Sequence, residues 1–123
     1  VDEGLSFLDT SSVVEVRAHH VLEHVRDLDQ VMRELHRVCG GGARLDILVP
    51  LANTLWAVAN PDHRRLFNHR TFQYYTPEFV TSDAGLFRGF TIVAQTIERE
   101  PDEWFDGIQW MVANLHVVLQ VVK

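Results

Sequence analysis

The sequence has 123 residues, 46% hydrophobic and 23% charged, the proportions of one ordinary globular domain spanning 1–123 with a core of its own. A net charge of −6 argues against a nucleic-acid partner, whose phosphates need clustered Lys and Arg, and no apolar run approaches the roughly 20 residues that cross a bilayer. Cys39 is the single cysteine, so no intrachain disulfide can form; with no signal peptide opening the chain, a reducing cytoplasm is the expected location.

The first element is a strand over Ser12 to Ala18 (SVVEVRA), where Val14 and Val16 share one face and Val13 and Glu15 the other. A dense polar segment, His19 to Val25 (HHVLEHV), comes next. A well-marked helix follows, with Asp27 as N-cap and Gln30 completing a capping box. Leu28, Val31, Met32, Leu35 and Val38 form its apolar stripe, and Gly40, Gly41 and Gly42 are expected to cap its end. On the polar side, His36 is expected to be solvated. Ala43 to Pro50 (ARLDILVP) reads as a second strand stopped by proline. Two strands joined by one helix in so few residues make a right-handed βαβ unit with parallel strands.

The middle of the chain is less regular. His63 and His69 stand there among arginines (Arg64, Arg65, Arg70) and aromatics (Phe67, Phe72, Tyr74, Tyr75, Phe79). The aromatics could border a substrate pocket or pack in a core; a solvated face is the default for the arginines. Thr76 and Pro77 mark the start of a short helix. Phe90 to Glu100 reads as a long strand, Pro101 to Gly107 as a turn, and Asn114 to Lys123 as a last strand carrying His116, expected to be a paired surface residue. With no helix between them, these two strands are predicted to be antiparallel neighbours.

From His20 the run HVLEHVRDLDQVMRELHRVCGGGARLDILVP resembles the central part of the class I S-adenosylmethionine-dependent methyltransferases. Leu22, Glu23 and His24 are similar to that family's strand-end turn, Glu34 and Arg37 to its following helix, and Gly41 and Gly42 to its glycine pair. The segments NPDHRRLFNHRTFQYYTPEF and NLHVVLQVVK resemble later elements of the same family. The resemblance implies an α/β, partial Rossmann-like fold: a mixed sheet with parallel strands and a C-terminal antiparallel pair. It implies S-adenosylmethionine as cofactor, with Asp2 similar to the residue that meets the adenine and Ala18 and His19 near the methionine part. The family's glycine-rich cofactor loop and ribose-binding acid have no counterpart here, so the chain reads as the C-terminal half of such an enzyme, incomplete for cofactor binding on its own. A small-molecule methyl acceptor is implied. His20, at the carboxyl end of the first strand, is the candidate general base.

Three readings of His19 to Val25 stay open. In the plainest, Val21, Leu22 and Val25 pack on the sheet while Glu23 and His24 hydrogen-bond to backbone. In the second, His20, Glu23 and His24, with His63 or His69, hold a divalent metal. Some small-RNA and quinone-pathway O-methyltransferases resemble this segment with an E-x-x-E-H cluster for magnesium, and an imidazole in place of the first carboxylate favours zinc, manganese or iron. In the third, the letters H-x-x-E-H mark a zinc peptidase, with Glu98, Glu100 or Glu103 as a further ligand; that motif must lie within a helix, whereas here it follows a strand. Two functions follow: a methyltransferase completed by another half or partner, or a non-catalytic remnant that dimerises or binds metal. A homodimer is expected, because the strand from Ser12 to Ala18 lacks the neighbour it would have in the complete fold.

Overall fold

The computed structural model describes residues 4–78, 87–99 and 113–123. β1 (Val13–His19) and β2 (Cys39–Pro50) run parallel, with Val16 opposite Leu45 and Ala18 opposite Ile47. Parallel neighbours need a crossover, and α1 (Leu28–Val38) supplies it. The Asp27 carboxylate accepts the backbone N–H of Gln30 at 3.1 Å, which caps a donor that the first helical turn leaves unpaired. Leu28, Val31, Met32, Leu35 and Val38 are all buried, so the apolar stripe is the face that packs on the sheet.

After a short helix, α2 (Leu55–Ala59), and a 3-10 turn (Thr71–Tyr75), the chain returns as β3 (Phe90–Arg99) and β4 (Ala113–Val121). The strand order is β1-β2-β4-β3: β4 inserts between β2 and β3 and is antiparallel to both. The antiparallel pairing of β3 and β4 follows the expectation from two unbroken β-runs. One face of the sheet, bearing Leu45, Ile47, Val49, Leu115, Val117 and Leu119, is buried with α1, Phe67, Phe72 and Phe90 in a continuous core. Facing the other way, Arg44 and Arg17 are exposed and Asp46, His116 and Gln120 half-buried.

Two sequence expectations change. Gly40, Gly41 and Gly42 do not cap α1; they lie inside β2, which begins at Cys39 directly after the helix, and only Gly42 takes a positive φ, +83°. The helix end is satisfied by a distant cation: Lys123 Nζ donates to the carbonyls of Arg37 at 3.2 Å and Cys39 at 2.6 Å. An ammonium there also meets the negative end of the helix dipole, so no glycine cap is needed. His36 is not simply solvated. Its Nε2–H donates to the Val122 carbonyl at 2.9 Å, and its ring packs edge-on against Phe87 and Phe90.

Arg37 ties the leading segment down, donating to the carbonyls of Leu5 and Leu8 and to the Thr10 hydroxyl while paired with Glu34. The helix expected from Thr76 and the turn from Pro101 to Gly107 run into residues outside the described ones. Among the described residues, no helix is long and apolar enough to cross a membrane.

Candidate functional site at the carboxyl edge of β1

The segment His19 to Val25 leaves the sheet at the carboxyl end of β1, the edge where open α/β sheets bind ligands. His20 donates its backbone N–H to the Leu48 carbonyl at 2.9 Å, the last tie to the sheet, and takes a left-handed φ of +59° with its side chain exposed. Only a few per cent of non-glycine residues do this, and such strain gathers at ligand sites. Leu22–His24 then forms a single 3-10 turn. The H-x-x-E-H letters therefore do not lie on one helix, as the zinc-peptidase reading requires.

The turn buries a carboxylate. Glu23 is 1% exposed, and neither carboxylate oxygen has a hydrogen-bond partner. Burial pushes its pKa above the ordinary value, and the nearby imidazoles of His24, His20 and His63 pull it back only in part. The plain expectation that Glu23 and His24 would both bond to backbone thus does not describe the Glu23 side chain.

A loop latches over this turn and sets the histidines around Glu23. Arg64 donates its backbone N–H to the Glu23 carbonyl at 2.7 Å, and the Arg65 guanidinium donates to the carbonyls of Val25 and Arg26. His24 Nδ1 meets the Asp62 carboxylate at 2.8 Å, which can only accept, so Nδ1 carries a proton, while Nε2 faces Glu23 Oε1 at 3.6 Å. By the same reasoning His63 Nδ1 donates to the Ala57 carbonyl at 3.0 Å, leaving its Nε2 available. The two rings meet edge to face, centroids 4.9 Å apart. Each imidazole thus has one nitrogen fixed by an outer acceptor, an arrangement that metal-ligating histidines commonly show.

His69, the alternative ligand, lies in an exposed stretch where its carbonyl accepts from Gln95. Ala18 is buried at the end of β1, and Asp2 lies outside the described residues, as do Glu100, Glu103 and Phe79. The His19 side chain turns to the open face of the sheet, toward Asp46. His116 is paired there as well, with Asp46 and Glu98. Of the aromatics, Phe67 and Phe72 stack in the core, centroids 5.5 Å apart, and buried Tyr75 has its hydroxyl pKa pushed up to about 12, chiefly by desolvation. Tyr74 and Tyr75, with Leu28, Arg70 and Thr71, border an open hollow of about 360 Å³.

Asp62 and Asp46 carry no signal in the sequence. Asp62 sits in a turn-forming N-P-D triplet and Asp46 alternates with apolar residues in a strand; only the folded pairing gives either a histidine.

No protein-family model matches the sequence, and no curated protein matches it. Solved structures do. A chain of the Haloferax volcanii complex between the Trm112 methyltransferase activator and a methyltransferase superposes with a TM-score of 0.64 at 14% identity, covering 94% of this chain and 57% of that one. A S-adenosylmethionine-dependent methyltransferase from Methanosarcina mazei gives 0.59 at 15% identity, covering 99% and 65%. The fold is class I methyltransferase-like. The [4+2]-cyclase SpnF gives a TM-score of 0.66 at 11% identity, with 99% of this chain and 55% of that one covered. This chain spans between 55% and 65% of the length of these three structures. A cyclase among them shows that this fold alone does not name a reaction.

Proposed function

We propose that this chain is the acceptor-side part of a S-adenosylmethionine-dependent methyltransferase, with the reacting groups meeting at the carboxyl end of β1. The observation that carries the reading is the constellation there: exposed His20 in a left-handed conformation near buried Glu23, whose oxygens have no hydrogen-bond partner, with His24 and His63 oriented from outside. Strain and a buried carboxylate without hydrogen bonds each cost stability, and ordinary packing repays neither. Buried Ala18 and the backbone of His19 and His20 fit one wall of a cofactor site, because the small side chain lets a ligand approach the strand end. S-adenosylmethionine, when bound, supplies an electrophilic methyl group. The chain's own residues would position a small-molecule acceptor, with His20 taking its proton.

A divalent ion at Glu23 would need the side chains of His20, His24 and His63 to close in, because no three of their donor atoms and the Glu23 oxygens lie within 4.8 Å of one another, and His69 stands apart beside Gln95 of β3. A non-catalytic, self-associating role is the second reading. It is favoured by the outer edge of β1, which pairs with nothing but β2 among the described residues and carries Val14 at 82% exposure.

One wall should bind cofactor weakly, near millimolar, or about −4 kcal/mol. Nuclear magnetic resonance titration with S-adenosylmethionine should shift the amides of Ala18, His19 and His20 before others. The reading fails if those amides stay still at saturating cofactor, and micromolar affinity would refute the one-wall account.

A further inference from the structure

Each of the four strands contributes one polar side chain to a single patch on the sheet face opposite α1. His19 of β1 and His116 of β4 both stand opposite Leu48 of β2, so they flank that strand with backbones about 10 Å apart. Asp46, two residues back on β2 and on the same face, receives both rings: its Oδ1 lies 3.3 Å from His19 Nε2 and 2.5 Å from His116 Nε2. From β3, Glu98 Oε1 lies 3.2 Å from His116 Nδ1.

With both imidazoles neutral, hydrogen bonds alone leave this patch short of a donor. Both nitrogens of His116 face carboxylates, yet a neutral imidazole has one N–H to give. His19 aims a third nitrogen at the same Asp46 oxygen. A cation among His19, Asp46 and His116 resolves the conflict: Nδ1–H of His116 then donates to Glu98, and Nε2 is free as a ligand. The donor atoms of His19, Asp46 and His116 all lie within 4.8 Å of one another. In a tetrahedral zinc site neighbouring ligand atoms are about 3.4 Å apart, so the His19–Asp46 spacing already fits and His116 would withdraw from Asp46 by about 1 Å, with its distance to His19 no more than 4.8 Å.

We propose that His19, Asp46 and His116, brought together from three adjacent strands, form a binding site for a divalent transition-metal ion, zinc being the ion this donor set suits, and that Glu98 is the positioning residue for His116. The three ligand side chains are 36%, 26% and 31% exposed, which lets an ion enter and leaves a coordination position to solvent. The site shares no side chain with the Glu23 cluster.

Cobalt(II), added to the full chain after chelator treatment and removal of any affinity tag, tests this through its visible absorption, with zinc as competitor. The expected result is one equivalent bound and displaced by zinc, lost at least 100-fold in Asp46→Asn and His116→Ala and kept in His24→Ala. Glu98→Gln should weaken binding about 10-fold, the cost typical of an outer hydrogen bond to a ligand. Circular dichroism checks folding, and should His116→Ala not fold, His19→Asn at the exposed end of β1 removes a different ligand of the same site and should also lose binding. Folded wild type that binds no cobalt at tenfold excess would overturn the proposal. So would binding that survives Asp46→Asn and disappears with His24→Ala, which would assign the ion to the Glu23 cluster.

Discussion

Replacing Glu23 with methionine should make the metal-free chain more stable, contrary to the usual effect of a core substitution. Glu23 is 1% exposed and neither carboxylate oxygen is hydrogen-bonded. An unsatisfied buried polar group costs about 1–3 kcal/mol, more when charged, and methionine fills a similar volume without that cost. A gain of about 2 kcal/mol is expected at pH 8, equivalent to about 8 °C in Tm for a domain of this size. The gain should also depend on pH. Burial raises the folded-state pKa of Glu23 above its ordinary 4.5, so the folded protein holds this proton more tightly than the unfolded chain. The wild type's share of stability from that proton is full below pH 4.5 and is lost as pH rises through the folded pKa. The gap between variant and wild type should therefore be small in acid and widen toward neutrality. Urea unfolding of both proteins after chelator treatment, from pH 4 to pH 8, measures it. A variant less stable than wild type at pH 8, or a gap that does not change with pH, would mean that the carboxylate is satisfied and the reasoning is wrong.

Gly42→Ala should cost about 1 kcal/mol in urea unfolding, because φ is +83° there and the nearest side-chain atom, Gln120 Nε2 at 3.9 Å, leaves room for a methyl group. Gly41→Ala, at a negative φ in the same strand, should be close to neutral. If copies of the chain pair through the outer edge of β1, Val14→Lys should convert a dimer to a monomer in light scattering without changing the circular dichroism spectrum, since Val14 is 82% exposed. Wild type that is monomeric at micromolar concentration would remove the basis for that pairing.

What could be read in the sequence was what depends on near neighbours. The stripe from Leu28 to Val38, its cap at Asp27 and the parallel pairing across α1 follow from periodicities of three to four residues and from the shortness of the crossover. The class of fold followed from their order. Features set by distant pairing could not be read. Gly40 to Gly42 look like a cap until Lys123, more than 80 residues on, is seen holding the helix carbonyls. Likewise, the histidines from His19 to His24 read as one cluster in the sequence, but adjacent letters part company in space. His19 joins Asp46 and His116 on the sheet face, while His24 turns to Asp62 and His63. Strand alternation and the left-handed step at His20 separate them, and neither Asp46 nor Asp62 could be assigned a histidine before register and loop path were known.

The position of β4 between β2 and β3 bears on how the protein is made. Residues 44–50 find their hydrogen-bonding partners at 114–120, some 70 positions further along. During synthesis β1, α1 and β2 leave the ribosome as a unit whose inner strand has a bare side, rich in isoleucine, leucine and valine, until Val121 is free of the tunnel. At about 5–20 residues per second that interval lasts several seconds, long enough for a neighbouring nascent chain or a chaperone to occupy the gap. Replacement of that occupant by β4 is then a strand insertion, with a rate limited by closing a long loop.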